Sequence, residues 1–316
     1  MTPRSAIVVA LIILVLAAVA RPVHARDADA GPAVRLGEVE WRSEIASAPV
    51  MPGATLDIEV LDPAPSRWTL AVPAGEVTRR SARAWRWRAP RQHGIVTAHL
   101  IGAGEPEPAV ELKLLVMVPA SRVSAHGRLN GYRIGPYPAR PLAGNPIYLP
   151  PPGFIEVTDE NEDERLSPRF RLGQFASKQS QAFPKYVVLE PALIVALEGL
   201  ADRLDVLDLP STLHVMSGYR TPFYNHAIGN VRYSLHQWGG AADVFVDEDE
   251  DGRMDDLNGD GQIDRRDAIA LFQVANGLRP MARGAASFAG GLGIYGATRS
   301  HGPFVHVDVR GRPARW

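Results

Sequence analysis

Between residues 33 and 118 apolar and polar side chains alternate in short runs separated by Pro and Gly: 55–60, 67–72, 84–88, 95–101 and 110–118. In the first run Leu56, Ile58 and Val60 fall on one face, and Thr55, Asp57 and Glu59 on the other. A period of two marks a half-buried strand, because successive strand side chains point to opposite sides. Several such strands at about 10-residue spacing predict a small antiparallel β-sandwich of immunoglobulin-like size over residues 33–118. Trp85 and Trp87 are two apart and share a strand face. Core packing is the expected role of that pair, and stacking on sugar rings is the functional alternative.

The pattern then changes. Residues 119–152 are rich in Gly, Pro and Arg and end in Pro150-Pro151-Pro152-Gly153, which neither a helix nor a central strand accommodates, so they read as a linker. Beyond it, Leu193, Leu197, Leu200 and Leu204 recur at helical spacing, with Pro191 suited to a first turn, and predict a helix over 189–204. A strand is predicted at 212–216, and Thr221-Pro222 is a cap-then-proline helix start. A helix at 266–276 and strands at 292–295 and 304–309 follow. The fold class is therefore α+β: an all-β sandwich followed by a C-terminal domain, 153–316, with a small antiparallel sheet flanked by helices.

Composition narrows the function classes. The 316 residues carry 34 basic and 35 acidic side chains, a net charge of −1, so no global field draws the chain to nucleic acid or to an anionic membrane. Oligomeric state is not legible at this level. Arg4, the apolar run 6–20 and Val23-His24-Ala25 make residues 1–25 an expected signal peptide, too short in its apolar part to span a bilayer. Export implies a periplasmic or secreted protein, with no membrane attachment after cleavage. There are no cysteines, so any metal site must use His, Asp and Glu.

Candidate chemistry lies in two stretches. Ser234-Leu235-His236-Gln237-Trp238-Gly239-Gly240-Ala241-Ala242-Asp243 offers a nitrogen and an oxygen ligand joined by small residues that permit a tight turn. Phe304-Val305-His306-Val307-Asp308-Val309 offers another histidine: its valines occupy one strand face, and Phe304, His306 and Asp308 the other, which is expected to overlook a cleft. Two His and one Asp would leave one tetrahedral position open, as in a catalytic zinc site. Spacing alone leaves this set balanced against ordinary surface or core roles.

Together with Ser217-Gly218-Tyr219-Arg220-Thr221, these motifs resemble those of the LAS zinc peptidases, which include D-Ala-D-Ala carboxypeptidases, D-Ala-D-Ala dipeptidases and phage endolysins. The ending, from Gly291-Leu292-Gly293-Ile294-Tyr295 to Arg315-Trp316, is most similar to the branch containing periplasmic murein endopeptidases. The resemblance spans about the last half of the chain and three ordered motifs. It implies zinc held by His236, Asp243 and His306, hydrolysis of peptide bonds in peptidoglycan, and Arg220 as the holder of a substrate carboxylate or oxyanion. Ser234 is implied as a supporting or substrate-binding hydrogen-bonding group, or else as a turn cap. Related enzymes commonly carry a Glu three residues, or a His two residues, before the last ligand, where this chain has Pro303 and Phe304. A zinc-bound water needs a base, so Asp308 is the expected substitute, with support of His306 as its alternative role. His301 is the next candidate. Without a base, the domain would bind peptidoglycan without cutting it.

An acidic insert, 247–267, has the register of a calcium loop. Asp256, Asn258, Asp260, Gly261, Gln262, Asp264 and Asp267 match positions one, three, five, six, seven, nine and twelve of an EF-hand. Asp267 stands where a bidentate Glu is usual, as in dockerin-type loops. A partial copy precedes it: Asp247, Asp249, Asp251, Gly252, Arg253 and Asp255. The expectation is one structural calcium in 256–267 and at most a weaker second one.

Overall fold

Alternating side chains build the first nine strands: β1 (Ala33–Leu36), β2 (Val39–Arg42), β3 (Ile45–Val50), β4 (Thr55–Val60), β5 (Trp68–Ala71), β6 (Glu76–Arg79), β7 (Ala84–Arg88), β8 (Gly94–Gly102) and β9 (Val110–Val116). They are seen in a computed structural model that describes residues 31–63, 65, 67–278 and 290–316. The expected signal peptide, 1–25, lies outside the described residues. Two sheets result, ordered β2-β1-β4-β7-β6 and β3-β9-β8-β5. In β4, Leu56, Ile58 and Val60 are buried while Thr55 and Asp57 face solvent, as the period of two requires. Pairing is antiparallel except between β3 and β9, which run parallel. Trp85 is 3% and Trp87 0% exposed, and the Trp87 indole N–H donates to the Ala74 carbonyl at 2.9 Å. The pair is core, so the sugar-stacking alternative is withdrawn.

Residues 119–152, read as a linker, carry structure of their own. Here β10 (Val118–Pro119) pairs with β13 (Gly153–Val157), which pairs in turn with β14 (Lys185–Val187). Between them, β11 (Arg128–Leu129) and β12 (Tyr132–Arg133) form a hairpin that buries Leu129, Tyr132 and Ile134. Composition missed this because the segment buries a few large side chains rather than an alternating run.

Helix α1 (Pro191–Val206) starts on its proline and buries Leu193, Ile194, Leu197, Leu200, Ala201 and Leu204. Each fully buried leucine contributes about 1.5–3 kcal/mol. The next elements are β15 (Leu213–Ser217), α2 (Pro222–Ala227), β16 (Ala241–Val246), α3 (Arg265–Asn276), β17 (Gly291–Tyr295), β18 (Phe304–Asp308) and β19 (Ala314–Arg315). The second five-stranded sheet is ordered β15-β16-β18-β17-β19, with α3 packed against β16, β17 and β18. Both β16 and β18 are buried at every position. The expected division of β18 into a packed face and an open one is therefore corrected: as a central strand it is covered on both sides. The described residues are mixed α and β. Among them no helix is long and apolar enough to cross a membrane.

Candidate metal centre

His236 comes from a single 3-10 turn, Leu235–Trp238, that enters β16 through Gly239 and Gly240. Gly239 has φ +68°, and a Cβ there would sit 2.2 Å from the Val188 carbonyl oxygen. Both the left-handed backbone and the close approach require glycine. Asp243 lies in β16 directly opposite His306 in β18, in the same cross-strand row as Ser217 of β15 and Gly293 of β17. The sheet register thus places two of the three side chains side by side, and the glycine turn brings the third over them.

The donor atoms form a nearly equilateral triangle. His306 Nδ1 is 2.9 Å from Asp243 Oδ1, His236 Nε2 is 3.2 Å from the same oxygen, and the two ring nitrogens are 3.3 Å apart. Zinc held tetrahedrally by bonds of 2.0–2.1 Å separates its ligand atoms by about 3.3 Å, so the triangle has the size the ion demands. All three residues are 9% exposed or less.

The outer contacts fix which atom of each ligand faces inward. His236 Nδ1 donates to the Gly218 carbonyl at 2.7 Å, leaving Nε2 with its lone pair. His306 is turned the other way: Nε2 faces Asp308 Oδ2 at 3.2 Å and Nδ1 faces Asp243 Oδ1 at 2.9 Å; burial lowers the pKa of this imidazole, but its bonds to the two carboxylates prevail and raise it. Arg220 donates Nη2 to Asp243 Oδ2 and Nε to Ser217 Oγ at 2.9 Å. One oxygen of Asp243 therefore faces the ligand triangle while the other is held by a guanidinium. Burial pushes the Asp243 carboxyl up, but the two histidines more than offset this and hold it well below the usual carboxylate range. Burial likewise drives His236 below its ordinary value. A carboxylate and a neutral imidazole are the forms a metal binds.

Asp308 is 0% exposed and fully engaged. Its Oδ1 accepts the backbone N–H groups of Gly291 (2.9 Å) and Arg310 (3.1 Å), and Arg310 Nη2 donates to Oδ2, which also receives His306. Burial raises its pKa, yet the hydrogen bonds from His306 and Arg310 prevail and hold it far below the ordinary range. A general base works best with a pKa near the operating pH, and this carboxylate sits behind the imidazole, on the side opposite Nδ1. The geometry corrects the expectation for Asp308: it positions His306 and does not face the ligand triangle. Ser234 is buried and precedes the 3-10 turn but makes no side-chain cap bond there. His301, in the loop before β18, bonds the Gly302 carbonyl through Nδ1 and packs edge-on against Phe304 at 5.0 Å between centroids.

One neighbour was not singled out from sequence. Parallel pairing of β19 with β17 carries Trp316 over Gly293, where a Cβ would lie 2.5 Å from the indole nitrogen. The Trp316 ring is 5.4 Å from that of His306, is 46% exposed, and donates its N–H to the Tyr295 hydroxyl at 2.8 Å. The ending that contains it carries part of the resemblance, but its place beside His306 depends on the pairing of β19 with β17, which no spacing reveals.

In the acidic insert the carboxylates of 256–267 bond the loop's own backbone. Asp256 Oδ2 accepts the Gly261 N–H at 2.6 Å, and Asp260 Oδ1 that of Gln262 at 3.0 Å. The side-chain oxygen of Asn258 accepts the Asp260 N–H at 3.0 Å. Asp264 caps α3, and Asp267 accepts the Asn258 and Asp264 N–H groups through its two oxygens, at 3.2 and 2.7 Å. Each Asp267 oxygen thus accepts one backbone N–H and keeps a further lone pair.

Comparison with known proteins agrees with the motif reading. Residues 168–259 match the family model described as Peptidase M15, a span that includes Arg220, Ser234, His236 and Asp243 but not His306. The match covers less than a third of the chain and supports the resemblance to the LAS-type zinc peptidases. No curated protein and no solved structure matches the chain.

Proposed function

We propose that the C-terminal half of this protein is a zinc peptidase that hydrolyses peptide bonds in peptidoglycan stem peptides or their cross-links. The observation that carries this reading is the triangle of His236 Nε2, Asp243 Oδ1 and His306 Nδ1, whose sides of 2.9–3.3 Å suit tetrahedral zinc. When bound, zinc supplies a Lewis acid and a water of lowered pKa. The chain's own part is positioning. Gly218 fixes the tautomer of His236, Asp308 and Arg310 fix that of His306, and Arg220 keeps Asp243 a single-oxygen ligand. Arg220 is thus a support of the ligand set first. Any contact it makes with a substrate carboxylate or oxyanion uses the donors that remain. Ser234 is a substrate-side candidate at the edge of the same turn.

With Asp308 committed behind His306, His301 is the candidate to take the proton of the attacking water and return it to the leaving amine. Peptidoglycan as partner and the periplasm or cell exterior as location rest on the motif resemblance and on the signal-like residues 1–25. Purified protein should hold one equivalent of zinc and release peptides from murein sacculi, and His236→Ala should abolish both. Peptide release that persists in that variant contradicts the proposal. The engagement of Asp308 favours one alternative, a peptidoglycan-binding module with zinc but no turnover. Stoichiometric zinc and sacculus binding without any released peptide would select it.

A further inference from the structure

The first acidic loop, not the second, gathers its carboxylates. Ligand oxygens of Asp247, Asp249 and Asp255 lie within 4.8 Å of one another. Two oxygens bound to one calcium at about 2.4 Å lie at most about 4.8 Å apart, so the spacing of the three meets the condition for a shared ion. The second observation is an orphaned atom. The Asp247 side chain is 3% exposed, yet its Oδ1 is buried with no hydrogen-bond partner. A buried carboxylate oxygen without a partner is strongly unfavourable unless a cation or donor meets it.

Among the described residues, no Lys or Arg lies within 4.0 Å of the Asp247, Asp249 or Asp255 carboxylates. The nearest basic group is His214, whose Nδ1 is 3.5 Å from Asp247 Oδ2. The loop is also closed at both ends. Asp247 N–H bonds the Thr212 carbonyl at 2.9 Å, and Asp255 N–H bonds the Val246 carbonyl at 2.9 Å. At its bend, Gly252 takes φ +81° and donates its N–H to Asp247 Oδ2 at 3.1 Å.

We infer that Asp247, Asp249 and Asp255 form a divalent-cation site for calcium, independent of the zinc centre and of whether the protein is a peptidase. All its ligands are oxygens, which a hard cation prefers to the mixed nitrogen and oxygen set at His236. The site ties down the end of β16, the strand that carries Asp243 four residues earlier.

The test is calorimetric titration of calcium chloride into the full chain, freed of divalent ions and reloaded with one equivalent of zinc. Thermal unfolding is followed in parallel. Wild-type protein should bind calcium and unfold several degrees higher in its presence. Asp249→Asn and Asp255→Asn, which keep the side-chain shape, should each weaken binding at least tenfold while zinc content and circular dichroism stay unchanged. Asp249 is exposed, so loss of binding in that variant cannot be ascribed to unfolding. No calcium uptake by wild type overturns the assignment. So does uptake that both variants retain but Asp256→Asn abolishes, which would place the ion in the following loop.

Discussion

Asp308 bonds His306 and Arg220 bonds Asp243, so in the proposed zinc site each stands behind a ligand. Histidine ligands depend on the acceptor behind them, and loss of such a partner typically weakens metal affinity 10–100-fold. Asp308→Asn should therefore lower zinc affinity by about that factor, read by competition with a chelating dye. If zinc affinity is unchanged while turnover at saturating zinc collapses, Asp308 is the base after all. Trp316 packs beside the same histidine. Its ring stands beside His306 and is 46% exposed, so Trp316→Ala should raise KM for muropeptides several-fold with zinc content unaltered. An unchanged KM removes it from the substrate path. These residues also mark the limit of legibility. His236, Asp243 and His306 stood out because motif order and ligand chemistry agreed, and the pairing of Asp243 with His306 across two strands then accounts for their convergence. Asp308 was legible as a neighbour of His306 on its strand face. Which way its oxygens were used depended on Arg310 and the Gly291 N–H, which no spacing reveals.

Among the elements, the glycine turn before β16 is the most exacting. A Cβ at Gly239 meets strained backbone and the Val188 carbonyl together, and left-handed non-glycine backbone alone costs about 1–3 kcal/mol. Gly239→Ala should lower the melting temperature and release zinc, because His236 rides on the turn. A variant with wild-type melting and full zinc would show that the turn can yield. The amphipathic helix α1 and strands β4 and β7 matched their sequence patterns, since each buries one face at a regular period. By contrast, β1, β2, β3 and β6 were not foreseen; β2 and β6 bury little and β3 is buried almost throughout, so period two is weak in all but their pairing. For β18 the reverse error arose: a visible alternation suggested an open face that a central strand does not have.

Across the whole molecule, the N-terminal strands and the C-terminal half are not separated by a free linker. One hydrophobic cluster runs from Val34 and Trp87 through Leu129 and Tyr132 to Leu197 and Val305, and Lys113 of β9 bridges Glu111 and Glu164 at 2.7 and 2.9 Å. Residues 126–316 expressed alone should thus expose apolar surface and unfold at lower temperature than the full chain, as differential scanning calorimetry would report. An equal melting temperature would mean that the two halves are energetically independent. Composition suggested a linker because Pro and Gly are frequent there, but those residues bend the chain between buried side chains rather than keeping it apart from them. The claim on which the functional reading depends is the ligand set itself, and zinc-edge X-ray absorption of the purified protein measures it directly. The expected result is two imidazole nitrogens and carboxylate and water oxygens at about 2.0–2.1 Å around one zinc, with one imidazole lost in His306→Ala. An all-oxygen shell, or a spectrum that His306→Ala leaves unchanged, would contradict it.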